Sequence, residues 1–187
     1  MAKNRPTFYF NNDITKPIRA GGLILYRFNN NSMELLLEES RGIIEDIGGK
    51  SDYEDKDIYE MIAREVDEES NNVLDKKDIY LRLVNANNYV YIEKSKYIVF
   101  LLEANMKENI LDKKDFGNKE FHDNIDRKIK WMKLNVFLLP EIIKYKLNWR
   151  IKNKLVFDML KQIKTNKKRD IILYKNFVKI LNFNSKS

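Results

Sequence analysis

The chain has 187 residues, 43% of them hydrophobic and 34% charged, with 6 Gly, 3 Pro, no Cys and a single His. That composition describes a folded domain with a core of useful size and excludes collagen-like and low-complexity architectures. It also excludes disulfides, thiolate nucleophiles and Cys-based metal sites, and it leaves little room for Ser-His-Asp chemistry, so an enzyme of this composition works with carboxylates, hydroxyls, amines or a hard metal ion. The net charge is +7. From Lys144 onward, eleven Lys and two Arg stand against Asp158 and Asp170, a net of +11, whereas the preceding residues carry −4. A basic end of this kind suits a polyanion such as RNA, or is simply the solvated face of a Lys-rich helix. No apolar run reaches the ~20 residues of a membrane span, and Met1 to Pro6 lacks the apolar stretch of a signal peptide, so a cytoplasmic protein is expected.

In chain order, Ala20 to Phe28 reads as a mostly buried strand, Asn29 to Ser32 as a turn, and Met33 to Glu39 as the returning strand. Ile43 to Ile47 is a short apolar approach to Gly48-Gly49. A helix follows over about Ile58 to Ser70, opened by Asp57 with Glu60 in capping-box spacing and closed by Asn71-Asn72, which tolerate the left-handed conformation. Ile79 to Leu83, Tyr89 to Ile92 and Tyr97 to Leu102 read as strands, Lys107 to Asp126 as a polar loop, and Ile129 to Met132 as a short strand. Pro140 marks a helix start. Ile151, Leu155, Met159 and Ile163, spaced by four, predict an amphipathic helix over 150–164; Ile171 to Phe183 is strand or helix. This order predicts an α+β fold, an αβα sandwich around a mixed sheet. One domain is expected over 1–146, with a basic, helical extension over 147–187 packed on it.

The chemistry concentrates on the first helix. With Ile58 set at zero and 100° per residue, Ile62, Val66 and Tyr59 form an inward stripe between about 40° and 100°. Glu60, Arg64 and Asp67 fall on the far side, at about 180–240°. Glu65 falls near about 340°, Glu69 near about 20° and Glu68 near about 280°, so three carboxylates gather at one half-buried edge. Clustered, dehydrated carboxylates need cations. An all-oxygen set suits Mg²⁺ or Mn²⁺, and Gly48-Gly49 lets backbone approach the same place. The alternative is a helix edge carrying ordinary surface acids.

Gly49, Asp55 and the run Arg64-Glu65-Val66-Asp67-Glu68-Glu69 resemble the signature box of Nudix hydrolases. That box reads Gly, five residues, Glu, seven residues, then Arg-Glu-aliphatic-any-Glu-Glu-any-Gly-aliphatic. Three features depart from it. The first acid is Asp55, or Glu54 in another register; one extra residue precedes Arg64; and Asn71 or Asn72 replaces the closing Gly, with Val73 as the aliphatic. The resemblance extends over about residues 18 to 146.

It implies a metal-dependent hydrolase that splits a phosphoanhydride in a nucleoside-diphosphate-linked substrate. Glu65 and Glu69 then become ligands of Mg²⁺ or Mn²⁺, joined by the Gly49 carbonyl. Glu68 becomes a ligand or the general base, and Arg64 orients a glutamate. An acid a few residues before Trp131 supports the metal in this reading: Asp126, with Glu120 and Asp123 as competitors. Lys50 is a candidate for a substrate phosphate. Tyr26 is one of several aromatic residues that would stack a base, the others being Phe28, Tyr89, Tyr91 and Phe121. His122 reads as a surface loop residue. The basic C-terminal region tilts the expected substrate towards capped or 5′-phosphorylated RNA. The competing functional class is a non-catalytic module of the same fold that uses this region to hold RNA or a protein.

Overall fold

The structure, a computed structural model, describes residues 5–30, 32–119, 126–134 and 146–184, with only the backbone course given for 170–184. The expected Pro140 helix, together with Glu120, Phe121, His122 and Asp123, lies outside the described residues.

The long hairpin is the centre of the molecule. Strand β3 (Ala20–Asn29) pairs antiparallel with β4 (Ser32–Ser40). Two short strands, β1 (Phe8–Tyr9) and β2 (Pro17–Ile18), precede it as a separate ribbon. After the hairpin come β5 (Ile43–Glu45), which pairs with β4, and β6 (Ile47–Lys50), which turns back along the start of β3. β7 (Tyr89–Ile92) pairs with β8 (Tyr97–Glu103), and β8 runs parallel to β3. β9 (Arg127–Lys133) pairs with β4, and β10 (Lys146–Leu147) joins β5 in parallel. The result is one eight-stranded mixed sheet.

Period-two alternation sorts its two faces. Leu23, Leu25, Leu36, Ile98 and Phe100 meet helix α1 (Ile58–Glu69) and helix α2 (Lys76–Val84) on one side. Ile24, Tyr26, Leu35, Leu37, Val99 and Leu101 meet helix α4 (Lys154–Asn184) on the other. This is the expected α+β sandwich: helices, mixed sheet, helix.

The local signals set α1. Asp57 accepts from the backbone N–H groups of Tyr59 and Glu60 at 2.9 and 2.7 Å, satisfying two donors that a helix start leaves open. Asn71 and Asn72 end it with φ of 56° and 60°, the left-handed geometry in which Asn can replace Gly.

Three expectations are corrected. Ile79 to Leu83 is part of α2 rather than a strand: Asp75 caps Asp78 N–H at 2.7 Å, and Ile79 and Leu83 sit four apart on one buried face. The Lys107 to Asp126 stretch holds a short helix, α3 (Met106–Asn109), and a 3-10 turn at Lys113–Phe116, each opened by a reciprocal capping box. The last helix begins at Lys154, so Ile151 belongs to the turn before it. That shifts the buried stripe to Val156 and Leu160, with Met159 and Ile163 half-buried and Leu155 exposed. The segment from Ile171 to Phe183 is helical and continues α4.

The approach to α4 is tied down by a polar knot. Arg150 donates to Asp46 and to Glu45, both at 2.7 Å, while the buried Tyr97 hydroxyl donates to Asp46 at 2.7 Å. Among the described residues, no helix is long and apolar enough to cross a membrane.

Candidate active site

The site is built where β6 passes beneath the last turns of α1. Gly48 and Gly49 permit that approach. A Cβ at Gly48 would strike the backbone of Gly21 and Gly22, and one at Gly49 would land on the Glu65 carboxylate. The close passage lets Glu69 accept a hydrogen bond from Gly48 N–H at 2.7 Å.

Arg64 organises the edge. Its Nε donates to Asp55 Oδ1 at 2.9 Å and its Nη2 to Asp55 Oδ2 at 3.0 Å, a two-pronged grip on a buried carboxylate. Nη1 lies 3.0 Å from Glu65 Oε1 and 3.1 Å from Glu68 Oε2. Nη2 also donates to the Lys50 carbonyl at 3.1 Å. Arg64 therefore does not sit on the solvated side, where the helical angle alone had it: the turn carrying Asp55 covers it. Burial opposes its charge, but Asp55, Glu65 and Glu68 together hold its pKa above the ordinary guanidinium value. Glu54 is exposed. Asp55 is thus the acid that meets Arg64.

Glu65 and Glu69 are shaped by burial. Desolvation pushes the Glu65 carboxyl up from its usual value; Arg64 opposes this, and Glu68 and Asp55 add to it. Glu69 is raised well above the carboxylate range, first by burial and then by the charges of Glu38 and Glu65, with the Gly48 N–H and Arg127 pulling the other way. Glu38, a buried residue of β4, was not among the expected site residues. The signal was available: it lies two residues beyond Leu36, on the sheet face that meets α1. Arg127, at the start of β9, was also missed. It is buried and donates to the Glu68 carbonyl at 3.0 Å.

The other candidates divide. Lys50 is exposed at the end of β6. Asp126 is exposed and pairs through its main chain with Lys119, so it is its neighbour Arg127 that reaches α1. Tyr26 is not brought to this edge. Leu25 faces α1, so Tyr26 faces away and packs in the cluster beneath α4.

Among the described residues, no three acids form a ready-made metal cage. The three glutamates divide instead between partners: Glu65 and Glu68 lie on Arg64, and Glu69 lies on Gly48. The donor chemistry nonetheless fits a hard divalent cation. The set is all oxygen, and burial first, then the charges of Glu38 and Glu65, raise the proton affinity of Glu69, the condition that a bound cation relieves.

No family model and no curated protein sequence matches the chain. Among solved structures, the chain is similar to an Ap4A hydrolase from C. elegans, determined as a binary complex. The two share 17% sequence identity at a TM-score of 0.46, over 81% of this chain and 98% of the other.

Proposed function

We propose that the chain is a Nudix-type pyrophosphohydrolase that uses Mg²⁺ or Mn²⁺ to hydrolyse a phosphoanhydride bond in a nucleoside-diphosphate-linked substrate. One observation carries this reading: Arg64, fixed on the buried Asp55, stands at an acidic edge whose last member, Glu69, is bonded to the Gly48 backbone. An ordinary solvated helix edge has no reason to draw Glu69 partly out of water beside Glu38 and Glu65.

Glu65 and Glu69, with the Gly49 carbonyl, would hold the cation. When bound, it neutralises charge on the diphosphate oxygens and lowers the pKa of a water molecule. Glu68 has the more exposed side chain, at 31% against 18% for Glu65. In this reading it takes the proton of the attacking water as the new O–P bond forms and the bridging P–O bond breaks. Arg64 keeps Glu65 and Glu68 on one side of α1 and orients both. Gly49 keeps the backbone low enough for Glu65 to lie over it.

The test is product release from a panel of nucleoside-diphosphate-linked substrates, each with Mg²⁺, with Mn²⁺ and with chelator. Cleavage of at least one substrate that chelator abolishes is the expected result. No turnover across the panel in either metal removes the hydrolase reading and leaves a binding module.

A further inference from the structure

The turn before α4 grips the junction of β5 and β6. Arg150 donates through Nη2 to Glu45 and through Nε to Asp46, both at 2.7 Å, and Asn148 Nδ2 adds a third bond, to Glu45, at 2.7 Å. The Asp46 side chain is fully buried, and its other oxygen accepts from the Tyr97 hydroxyl at 2.7 Å. The Arg150 guanidinium also lies 4.6 Å from the centre of the Tyr97 ring. A carboxylate out of water persists only with donors of this kind.

Both residues held by Arg150 lead to Glu69. Asp46 stands two residues before Gly48, whose N–H is bonded to Glu69 at 2.7 Å. Glu45 pairs in register with Glu38, the buried acid whose charge acts on Glu69. The knot and the acidic edge lie on opposite faces of the sheet, and glycine backbone separates them. A Cβ at Gly22 would land on Asp46 Oδ2 and on the Tyr97 hydroxyl, and a Cβ at Gly48 would land on the Cα of Gly22, its cross-strand partner. Asp46 and Tyr97 thus pack on Gly22, Gly22 on Gly48, and Gly48 on Glu69, with no intervening side chain to absorb a displacement. The Tyr97 hydroxyl, raised by burial first and then by Asp46, also feels the charge of Glu69, so the two faces are within electrostatic reach.

Without Arg150, Asp46 keeps one side-chain donor. A buried carboxylate so deprived moves towards water or draws water in, and either response shifts the chain just ahead of Gly48. We infer that Arg150 is a positioning residue for the acidic edge: through Asp46 it fixes β6 where the Gly48 N–H meets Glu69, so that the turn before α4 shares in holding the cation site. The consequence for the cation rests on the hydrolase reading; the effect on Gly48 does not.

The Gly48 amide reads this directly. Its hydrogen exchange is followed by nuclear magnetic resonance on the full chain in chelator, with Leu36 of the central hairpin as the reference for global opening. Gly48 exchanges slowly in wild type. Arg150→Met keeps the apolar stem and removes both donors, and it speeds Gly48 about tenfold relative to Leu36. Leu160→Ala weakens the packing of α4 away from the knot and leaves that ratio as in wild type. Mn²⁺ titrated calorimetrically binds about tenfold more weakly to Arg150→Met and unchanged to Leu160→Ala. Arg150→Lys, which keeps the charge and one donor for Asp46, recovers most of both losses. Tyr97→Phe removes the other donor alone and shifts both readings in the same direction by a smaller factor; it decides the matter if Arg150→Met does not fold. Fast Gly48 exchange in wild type, Gly48 exchange that follows Leu36 in the knot variants, or equal changes in Leu160→Ala overturn the proposal. Wild type that binds no Mn²⁺ while Gly48 still responds to Arg150 defeats the metal-dependent reading and leaves the positioning role standing.

Discussion

Arg64 and Asp55 are joined by two hydrogen bonds, at 2.9 and 3.0 Å, across a turn that leaves the adjacent Glu54 in solvent. The pair fixes the register of the acidic motif. Asp55→Ala takes both of its acceptors from Arg64 Nε and Nη2 while Glu65 and Glu68 stay on Nη1, and the expected loss of stability is about 1–3 kcal/mol. Glu54→Ala touches nothing buried and stays within about 0.5 kcal/mol of wild type. Urea unfolding of both variants measures the difference, and equal losses would count against this register.

Crowded carboxylates should make the protein respond to divalent metal before any substrate is added. A cation that binds only the folded state at a hundredfold excess over its dissociation constant stabilises by about 2.7 kcal/mol, or roughly 5–10 °C in a chain of this size. Thermal melts in Mg²⁺ or Mn²⁺ against chelator read this directly. Glu69→Gln is nearly isosteric and removes one buried charge from beside Glu38 and Glu65. It should melt no lower than wild type in chelator, lose the metal-dependent rise, and show a large drop in turnover. A metal response as large as that of wild type would remove Glu69 from the ligand set.

The parts of this fold that were legible in the sequence are those set by near neighbours. The ends of α1 follow from Asp57, Asn71 and Asn72, and its buried face from Ile58, Ile62 and Val66. α2 was misread because five residues with Ile79 and Leu83 at the ends fit a short strand as well as a helix; the Asp75 cap was the deciding cue. Glu38 and Arg127 were missed for different reasons. Glu38 needed the strand parity of β4 to be read past Leu36, whereas Arg127 reaches α1 through the β4–β9 pairing, a relation between residues about 90 positions apart that no local pattern carries. Tyr26 was a question of parity: one residue along β3 decides between the α1 face and the α4 face.

Tyr97 should give the protein an alkaline limit. Its hydroxyl is pushed well above the usual phenol range, first by burial and then by the charge of Asp46, with Arg150 opposing. A pKa raised by folding means that the native state holds the proton more tightly than the unfolded chain. This contribution is complete below the unfolded value of about 10 and is lost as pH rises through it towards the folded value. Tyr26 and Tyr59 are raised in the same direction and contribute to the same slope. Tyr97→Phe should cost about 1–3 kcal/mol at neutral pH, because Asp46 loses a buried donor. It should also show a shallower fall in the urea midpoint between about pH 9 and 11. A fall as steep as that of wild type would assign the alkaline limit elsewhere.

The α4 docking face makes a paired prediction. Leu160 is 1% exposed and Leu155 is 56% exposed. Leu160→Ala should therefore cost about 2–5 kcal/mol, and Leu155→Ala about 0.5 kcal/mol or less. Reversed magnitudes in denaturant unfolding would restore the stripe through Leu155 that the spacing of four suggested.

The basic C-terminal region carries the last prediction. Lys161 and Lys168 are exposed on α4, while Lys167 lies 3.1 Å from Glu103 and 5.7 Å from the Phe28 ring, so it also helps to seat the helix. Reversal of Lys161 and Lys168 therefore tests RNA capture without disturbing that contact. If α4 holds RNA, binding to a short single strand is electrostatic and sequence-tolerant, with a log–log salt slope of about −0.7 per phosphate neutralised. Lys161→Glu with Lys168→Glu should then weaken RNA binding and flatten that slope, while cleavage of a small dinucleotide continues, because α4 packs on the sheet face opposite α1. Polarisation titrations at two salt concentrations measure both quantities. Absence of binding at low salt, or binding that ignores salt, would leave these lysines as a solvated helix face and make small nucleotides the first substrates to try.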